Sequence, residues 1–184
     1  MTCQLDKSVI EQTISFHGHS CPGLAIGIRT AELAIQKLKI TPASSIVCVV
    51  ETDMCAVDGI QFLTGCTFGK GNLVHKDFGK AGFTFFDREA GQGFRAVFLE
   101  DAIRDLPDPG GLSGKEARTF HIMAADINDL FDIQAIVHPP VRPARILQSI
   151  TCQDCREKVM ESRLRRFDGK DLCIPCFMAY EQKI

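Results

Sequence analysis

The sequence predicts an α+β fold, because its helical and strand patterns are grouped and do not alternate regularly. Two segments with apolar residues every three or four positions come first, followed by a buried strand, a third helix and a block of strands. Residues 72–100 follow a two-residue period with glycine-bearing turns, which is typical of an antiparallel meander. We therefore expect a mixed or antiparallel sheet packed against helices.

The first two predicted helices flank a short polar loop. Apolar spacing predicts a helix over Lys7 to His17, with Gly18 placed to end it. Ser20 or Cys21 is positioned as the N-cap of the next helix, because Pro22 suits the first helical position.

The second helix carries a stripe of small residues, Gly23, Gly27 and Ala31, at intervals of four. Such a stripe lets another backbone approach closely. We therefore expect tight packing on a neighbour, with a second subunit as one option.

A buried strand and a third helix come next. Ser45–Glu51 is a continuous run rich in β-branched residues, typical of a strand buried on both faces, and Cys48 within it is predicted to be core. Thr52 or Asp53 is predicted to cap a helix over residues 54–63.

The remaining elements of the main domain are shorter. Three strands are predicted over residues 72–76, 82–87 and 94–99. Ser113 and Glu116 fit a capping box, so we predict a helix from there to Phe131, followed by a last strand over residues 133–138.

Length and composition limit the architecture and the partners. We assign residues 1–140 to a main domain, 141–150 to a proline-bearing linker and 151–184 to a small module. A net charge of −2 and a pI near 6.2 argue against general binding to nucleic acid or membrane surfaces. The sequence has no signal-peptide pattern and no apolar run of roughly 18 residues, so we expect a cytoplasmic protein.

The C-terminal module contains the most specific motif in the chain. Cys152 and Cys155 form one C-x-x-C pair and Cys173 and Cys176 another, separated by 17 residues. This spacing is typical of a structural zinc site. A module of roughly 30 residues with few apolar side chains needs such a metal in order to fold. Because the module holds seven basic and six acidic residues, we favour a contact with protein over one with nucleic acid.

Two imidazoles and a thiol are concentrated in the loop between the first two helices, at His17, His19 and Cys21, and Cys55 is predicted in the first turn of another helix. Helix N-termini favour the thiolate form of cysteine. Thiolate with imidazole is a ligand set for Zn, Fe, Ni or Cu. We predict a second metal, zinc or else nickel or iron, held by His17, His19 and Cys55, with Cys21 as a further ligand or a reactive thiol.

Three other residues bear on this site. Asp58 follows Cys55 by three positions and so lies on the same helix face. Cys66 would lie roughly 16 Å from Cys55 along a continuous helix, which excludes it as a ligand of the same ion. Lys70 belongs to a Gly-rich segment that lacks the residues of a phosphate loop but could still turn towards the site. We take Cys21, Asp58 and Lys70 as candidate catalytic residues.

A structural role is the alternative for each of these residues taken singly. His17 could be a helix-end histidine, His19 a loop residue and the cysteines small core residues. Clustering at two helix starts favours the metal or thiolate site. The isolated His75, His121 and His138 are assigned structural roles.

Three segments resemble the E-subunit family of formylmethanofuran dehydrogenase, across a match of roughly residues 10–140. They read FHGHSCPGL over residues 16–24, ETDMCAVDGIQ over 51–61 and TGCTFGKGNL over 64–73. The cysteine-rich tail resembles the small zinc finger that some members append.

The resemblance implies an α+β core, a homodimer and a cleft, lined by the motif residues, that can hold a metal such as zinc. It also implies association with the other polypeptides of a molybdenum or tungsten enzyme of one-carbon metabolism. It specifies no reaction, so whether the chain is an enzyme stays open. The two functions that we carry forward are a metal-binding protein and a non-catalytic adaptor that uses its zinc finger for protein contacts.

Overall fold

The computed structural model describes residues 2–41, 44–104, 106, 109–112, 114–142 and 145–181. The chain divides into two units, Met1–Arg142 and Pro143–Ile184. No helix in the described ranges is both long enough and apolar enough to cross a membrane.

The first unit contains six helices and five strands among its described residues. The helices are α1 (Lys7–His17), α2 (Pro22–Leu38), α3 (Ala56–Thr64), α4 (Asp101–Arg104), α5 (Gly114–Ala124) and α6 (Ile127–Leu130). The strands are β1 (Ile46–Val50), β2 (Leu73–His75), β3 (Gly82–Asp87), β4 (Gln92–Phe98) and β5 (Phe131–Ile136). The second unit contains β6 (Ser149–Thr151), β7 (Lys158–Met160), β8 (Leu164–Phe167), β9 (Lys170–Cys173) and α7 (Ile174–Tyr180).

The five strands of the first unit form one mixed sheet in the order β2-β1-β3-β4-β5. β2 runs parallel to β1, and the other neighbouring pairs are antiparallel. The predicted α+β class, with a mixed sheet packed against helices, is confirmed.

The predicted meander over residues 72–100 is wrong at β2. β2 pairs with β1 so that His75 lies opposite Val50, whereas β3 pairs on the other side of β1 and places Phe83 opposite Val50. After α3 the chain therefore returns beside β1 in a strand–helix–strand crossover. β1 has two edges to fill, so strands that follow each other in sequence are not neighbours in the sheet.

β1 and α2 form the centre of the first unit. All five residues of β1 are buried, and Cys48 is fully buried as predicted. α2 is buried on all sides from Leu24 to Ala34, because it contacts α1, α3 and α5 as well as β3 and β4.

The small-residue stripe of α2 packs against α3 of the same chain. A Cβ atom on Gly27 would lie 2.2 Å from the carbonyl oxygen of Ala56, and one on Gly59 of α3 would lie 3.1 Å from the backbone of Gly27. The close neighbour predicted from the stripe is thus a helix of this chain and not a second subunit.

Gly27→Ala is expected to lower the free energy of unfolding by about 3 kcal/mol, because the added methyl group forces two helix backbones apart. Gly69→Ala is the matched control, since a Cβ at Gly69 meets nothing within 4 Å. Urea denaturation followed by circular dichroism measures both changes. A Gly27→Ala midpoint equal to that of the control would contradict this account of the α2–α3 contact.

Helix α3 starts later than predicted. Cys55 is its N-cap residue, and α3 begins at Ala56. The predicted cap at Thr52 or Asp53 is wrong, because the Thr52 hydroxyl accepts a hydrogen bond from the Met54 N–H at 3.3 Å in a turn before the helix.

The predicted helix that ends at Phe131 is two helices. α5 ends at Ala124, and the Asp126 side chain accepts a hydrogen bond from the Asn128 N–H at 2.9 Å, which caps α6. Phe131 is the first residue of β5. Ser113 of the predicted capping box lies outside the described residues.

Candidate functional site

The loop between α1 and α2 is held by a cap at each end. Gly18 ends α1 with a left-handed φ of 94°, directly after His17. Cys21 is the N-cap of α2, and its sulfur accepts a hydrogen bond from the Leu24 N–H at 3.4 Å. Both caps fall at positions predicted from the sequence, and the loop between them contains His19.

His17, His19 and Cys21 form a compact group of potential ligands. One ligand atom from each lies within 4.8 Å of the other two. Nε2 of His17 is 3.9 Å from Sγ of Cys21, and the two imidazole centroids are 4.6 Å apart. Tetrahedral zinc would hold a nitrogen and a sulfur ligand about 3.6 Å apart. The group therefore fits a metal ion after a small adjustment.

Asp58 on α3 orients His17. Its Oδ2 lies 2.7 Å from Nδ1 of His17, and the His17 side chain is only 10% exposed. Donation from Nδ1 to the carboxylate leaves Nε2 directed at Cys21. A carboxylate behind a histidine commonly fixes the tautomer and orientation of a metal ligand. The structure thus places Asp58 behind His17.

Cys55 adjoins this group but is not one of its three members. Burial raises the pKa of the Cys55 thiol, and the neighbouring sulfur of Cys21 raises it further. The prediction that the start of α3 favours a Cys55 thiolate is therefore wrong. Removal from water and an adjacent thiol outweigh the helix dipole.

The structure does not bring Lys70 or Cys66 to the group. Nζ of Lys70 donates to the carbonyl oxygen of Gly65 at 2.8 Å, and Lys70 lines a separate cavity of about 380 Å³. Cys66 is fully buried, with its sulfur 3.8 Å from the carbonyl oxygen of Ile46. Because α3 ends at Thr64, core burial and not distance along a helix removes Cys66 from the site.

A cavity of about 410 Å³ opens beside His17, Cys55 and Asp58. Its wall also includes Asp53, just after β1, and His75, the last residue of β2. The carboxyl ends of parallel strands are a frequent place for ligands. The structural role assigned to His75 missed this position, because it placed β2 in a meander. The strand–helix–strand order of residues 46–75 is the signal that could have revealed it.

The four C-terminal cysteines converge on one point. Their sulfur atoms all lie within 4.8 Å of one another, and those of Cys155 and Cys173 are 3.8 Å apart. Zn–S bonds of about 2.3 Å in a tetrahedron place the sulfurs about 3.8 Å apart. The geometry is that of a four-cysteine zinc site.

Two hairpins and a helix carry these cysteines. β6 pairs with β7 and β8 with β9, and α7 follows directly. The hairpin around residues 163–170 and the closing helix appear as predicted, whereas the β6–β7 hairpin was not predicted. The Cys173 N–H donates to Sγ of Cys152 at 3.3 Å, and backbone N–H groups lower the pKa of Cys152 to about 6. These N–H groups favour the thiolate that zinc requires.

Comparisons with known proteins agree with this two-part structure. Residues 16–124 match the model of the family described as "FmdE, Molybdenum formylmethanofuran dehydrogenase operon". The chain belongs to the FmdE family. Residues 145–182 of this FmdE protein match the prokaryotic dksA/traR C4-type zinc finger. The resemblance inferred from the three sequence segments and the cysteine-rich tail is therefore confirmed.

Two similar proteins extend the comparison. The chain is 28% identical over 191 residues to a "Probable S-adenosyl-L-methionine-binding protein" of Archaeoglobus fulgidus, a match that covers 90% of this chain and 51% of the relative. The FmdE chain thus spans about half the length of that relative. A crystal structure of an FmdE-like protein of tungsten formylmethanofuran dehydrogenase from Syntrophus aciditrophicus has a TM-score of 0.70 at 23% identity and covers 95% of this chain and 92% of that chain. This likeness shows the fold.

Proposed function

We propose that this FmdE protein binds two metals, a structural zinc at the C-terminal cysteines and a second transition metal at His17, His19 and Cys21. The observation that carries the second site is the convergence of three ligand atoms within 4.8 Å, with His17 oriented by Asp58. Zinc suits this donor set, and nickel or iron accepts the same donors. Cys21 takes the ligand position that the sequence assigned to Cys55, and Cys55 becomes the adjacent thiol.

The chemistry open to this site follows from its ligand number. Three protein ligands are typical of catalytic zinc sites, which keep the fourth position for water or substrate. A bound metal would supply Lewis acidity there. His17 would bind through Nε2 while Asp58 holds Nδ1, and the neighbouring cavity would admit a small molecule. Catalysis itself is not part of the proposal.

Metal content tests the proposal directly. We expect about two metal equivalents per chain in the purified protein by inductively coupled plasma mass spectrometry, and about one in the His19→Ala/Cys21→Ala variant. The control, Cys3→Ala/His138→Ala, removes one cysteine and one histidine outside both sites and should keep two. One equivalent in the wild type, or two in the site variant, would contradict the second site.

We infer that the protein acts in the cytoplasm as a homodimer with subunits of a molybdenum or tungsten enzyme of one-carbon or redox metabolism. The family description and the name of the Syntrophus aciditrophicus protein support the enzyme association. The homodimer rests on the family resemblance. Neither nucleic acid nor membrane is proposed as a partner.

A non-catalytic adaptor is the second candidate function. The division of the chain into two units favours it, because the zinc finger can serve as a contact module of its own. An adaptor needs only the zinc of its finger. A single metal equivalent per chain in the experiment above would therefore favour the adaptor.

A further inference from the structure

We propose that the cavity beside His17 binds a small organic cation, recognised by the carboxylate of Asp53 and the aromatic ring of Phe68. This inference rests on the proposed function, because a metal bound at His17 would stand at one end of the same cavity. It adds the chemical class of the ligand, which metal binding alone does not specify.

The cavity has the size and position of a ligand site. Its volume of about 410 Å³ falls within the usual range for small-molecule pockets. Apolar side chains form part of the wall, at Val50, Met54, Val57 and Leu73. A ligand with an organic body therefore fits the cavity better than a bare inorganic ion.

The charges on the wall favour a positive ligand. The lining residues include two carboxylates, Asp53 and Asp58, and no lysine or arginine within the described ranges. Asp58 is engaged by His17, whereas Asp53 makes no hydrogen bond or ion pair with the described part of the chain. The nearby Lys76 lies over the Phe78 ring at 5.9 Å and does not line the cavity. An anion would meet this negative potential without a compensating cation.

Phe68 supplies an aromatic surface at the same cavity. Its ring lines the cavity although the residue is 73% exposed. The backbone around it is fixed, because the Phe68 N–H donates to Oε1 of Gln61 at 3.3 Å and the Gly71 N–H donates to the Phe68 carbonyl oxygen at 3.0 Å. The Thr67 N–H also donates to Oδ1 of Asn72 at 2.9 Å. The face of an aromatic ring attracts cations.

These contacts give the Gly-rich segment of residues 64–72 a role. Its sequence does not match a phosphate loop, and its one lysine is bonded to Gly65 away from the cavity. The turn presents an aromatic ring where a phosphate loop would present backbone N–H groups. The segment thus contributes to recognition of a cation and not of a phosphate.

Three probes of similar size and different charge test the inference on the full, metal-loaded chain. Benzyltrimethylammonium is cationic and cannot coordinate a metal, benzyl alcohol is neutral and benzoate is anionic. In a low-salt titration followed by NMR, we expect the cation to bind at least about five-fold more tightly than the alcohol, and benzoate to bind more weakly than both.

Matched variants identify the residues responsible. Asp53→Asn and Phe68→Ala are each expected to weaken binding of the cation by about three- to five-fold. Asp129→Asn and Phe120→Ala, which remove the same side-chain types outside the cavity, should leave it unchanged. Equal affinity for the three probes, or an unchanged affinity in both cavity variants, would overturn the inference.

Metal content measured on the same samples keeps the two proposals apart. Two metals per chain without a preference for the cation would reject the ligand class and leave the proposed function standing. One metal per chain would contradict the proposed function whatever the probes show.

Discussion

Replacing Cys173 by serine is expected to unfold the C-terminal unit and leave the first unit folded. The cluster of buried residues in this unit is small, formed by Cys152, Leu172 and Cys173. Structural zinc contributes about 10–16 kcal/mol to the folding of comparable small modules. Without one of four thiolates this contribution largely disappears, and the remaining apolar contacts cannot replace it.

Amide NMR spectra resolve the two units and so measure this effect. We expect the dispersed signals of residues 149–181 to collapse to unfolded positions in Cys173→Ser, while those of residues 46–136 persist. Cys3→Ser removes a cysteine outside both sites and should change neither set. A dispersed spectrum for residues 149–181 in Cys173→Ser, or in the wild type after a strong chelator, would show that zinc is not required.

Arg29→Met is expected to lower the free energy of unfolding of the first unit by about 3–5 kcal/mol. Arg29 is 1% exposed and donates to the carbonyl oxygens of Met123 at 2.8 Å and Ala125 at 3.0 Å. Its Nε lies 3.0 Å from Oε2 of Glu32, which is 2% exposed. Those two atoms are misaligned for a hydrogen bond, so they attract mainly by charge. Removing Arg29 leaves a buried carboxylate without its counter-charge.

A second substitution separates charge from packing. Arg29→Met/Glu32→Leu should recover part of the loss, because it leaves no buried charge unpaired. The control is Arg118→Met, which breaks an ion pair with Glu100 whose side chains are 42% and 60% exposed, and should cost at most about 1 kcal/mol. Urea denaturation midpoints report all three variants. A midpoint for Arg29→Met equal to that of Arg118→Met would show that the buried pair contributes little.

The features that the sequence predicted well depend on local chemistry. α1 ends at His17 because Gly18 accepts a left-handed conformation, and α2 starts after Cys21 because Pro22 suits its first turn. The cysteine spacing of the C-terminal unit likewise predicts its metal geometry, since each pair sits within one tight turn. Neighbouring residues decide these features without reference to the rest of the fold.

The features that the sequence missed depend on distant parts of the chain. β2 lies beside β1 and parallel to it, which brings His75 to the cavity, and no residue near His75 indicates that topology. Cys21 joins the histidine group in place of Cys55 because α3 starts later than predicted. The partners of Arg29 are carbonyl groups on residues 94 and 96 positions further along the chain. Such contacts follow from packing and not from local pattern.

Anomalous diffraction at the zinc, nickel and iron absorption edges is the most direct measurement of the proposed metal sites, because it identifies each element and its ligands together. We predict two peaks per chain, a zinc peak among Cys152, Cys155, Cys173 and Cys176 and a second peak bonded to Nε2 of His17, to His19 and to Sγ of Cys21. A single peak at the four cysteines, with none at His17, would contradict the core metal site.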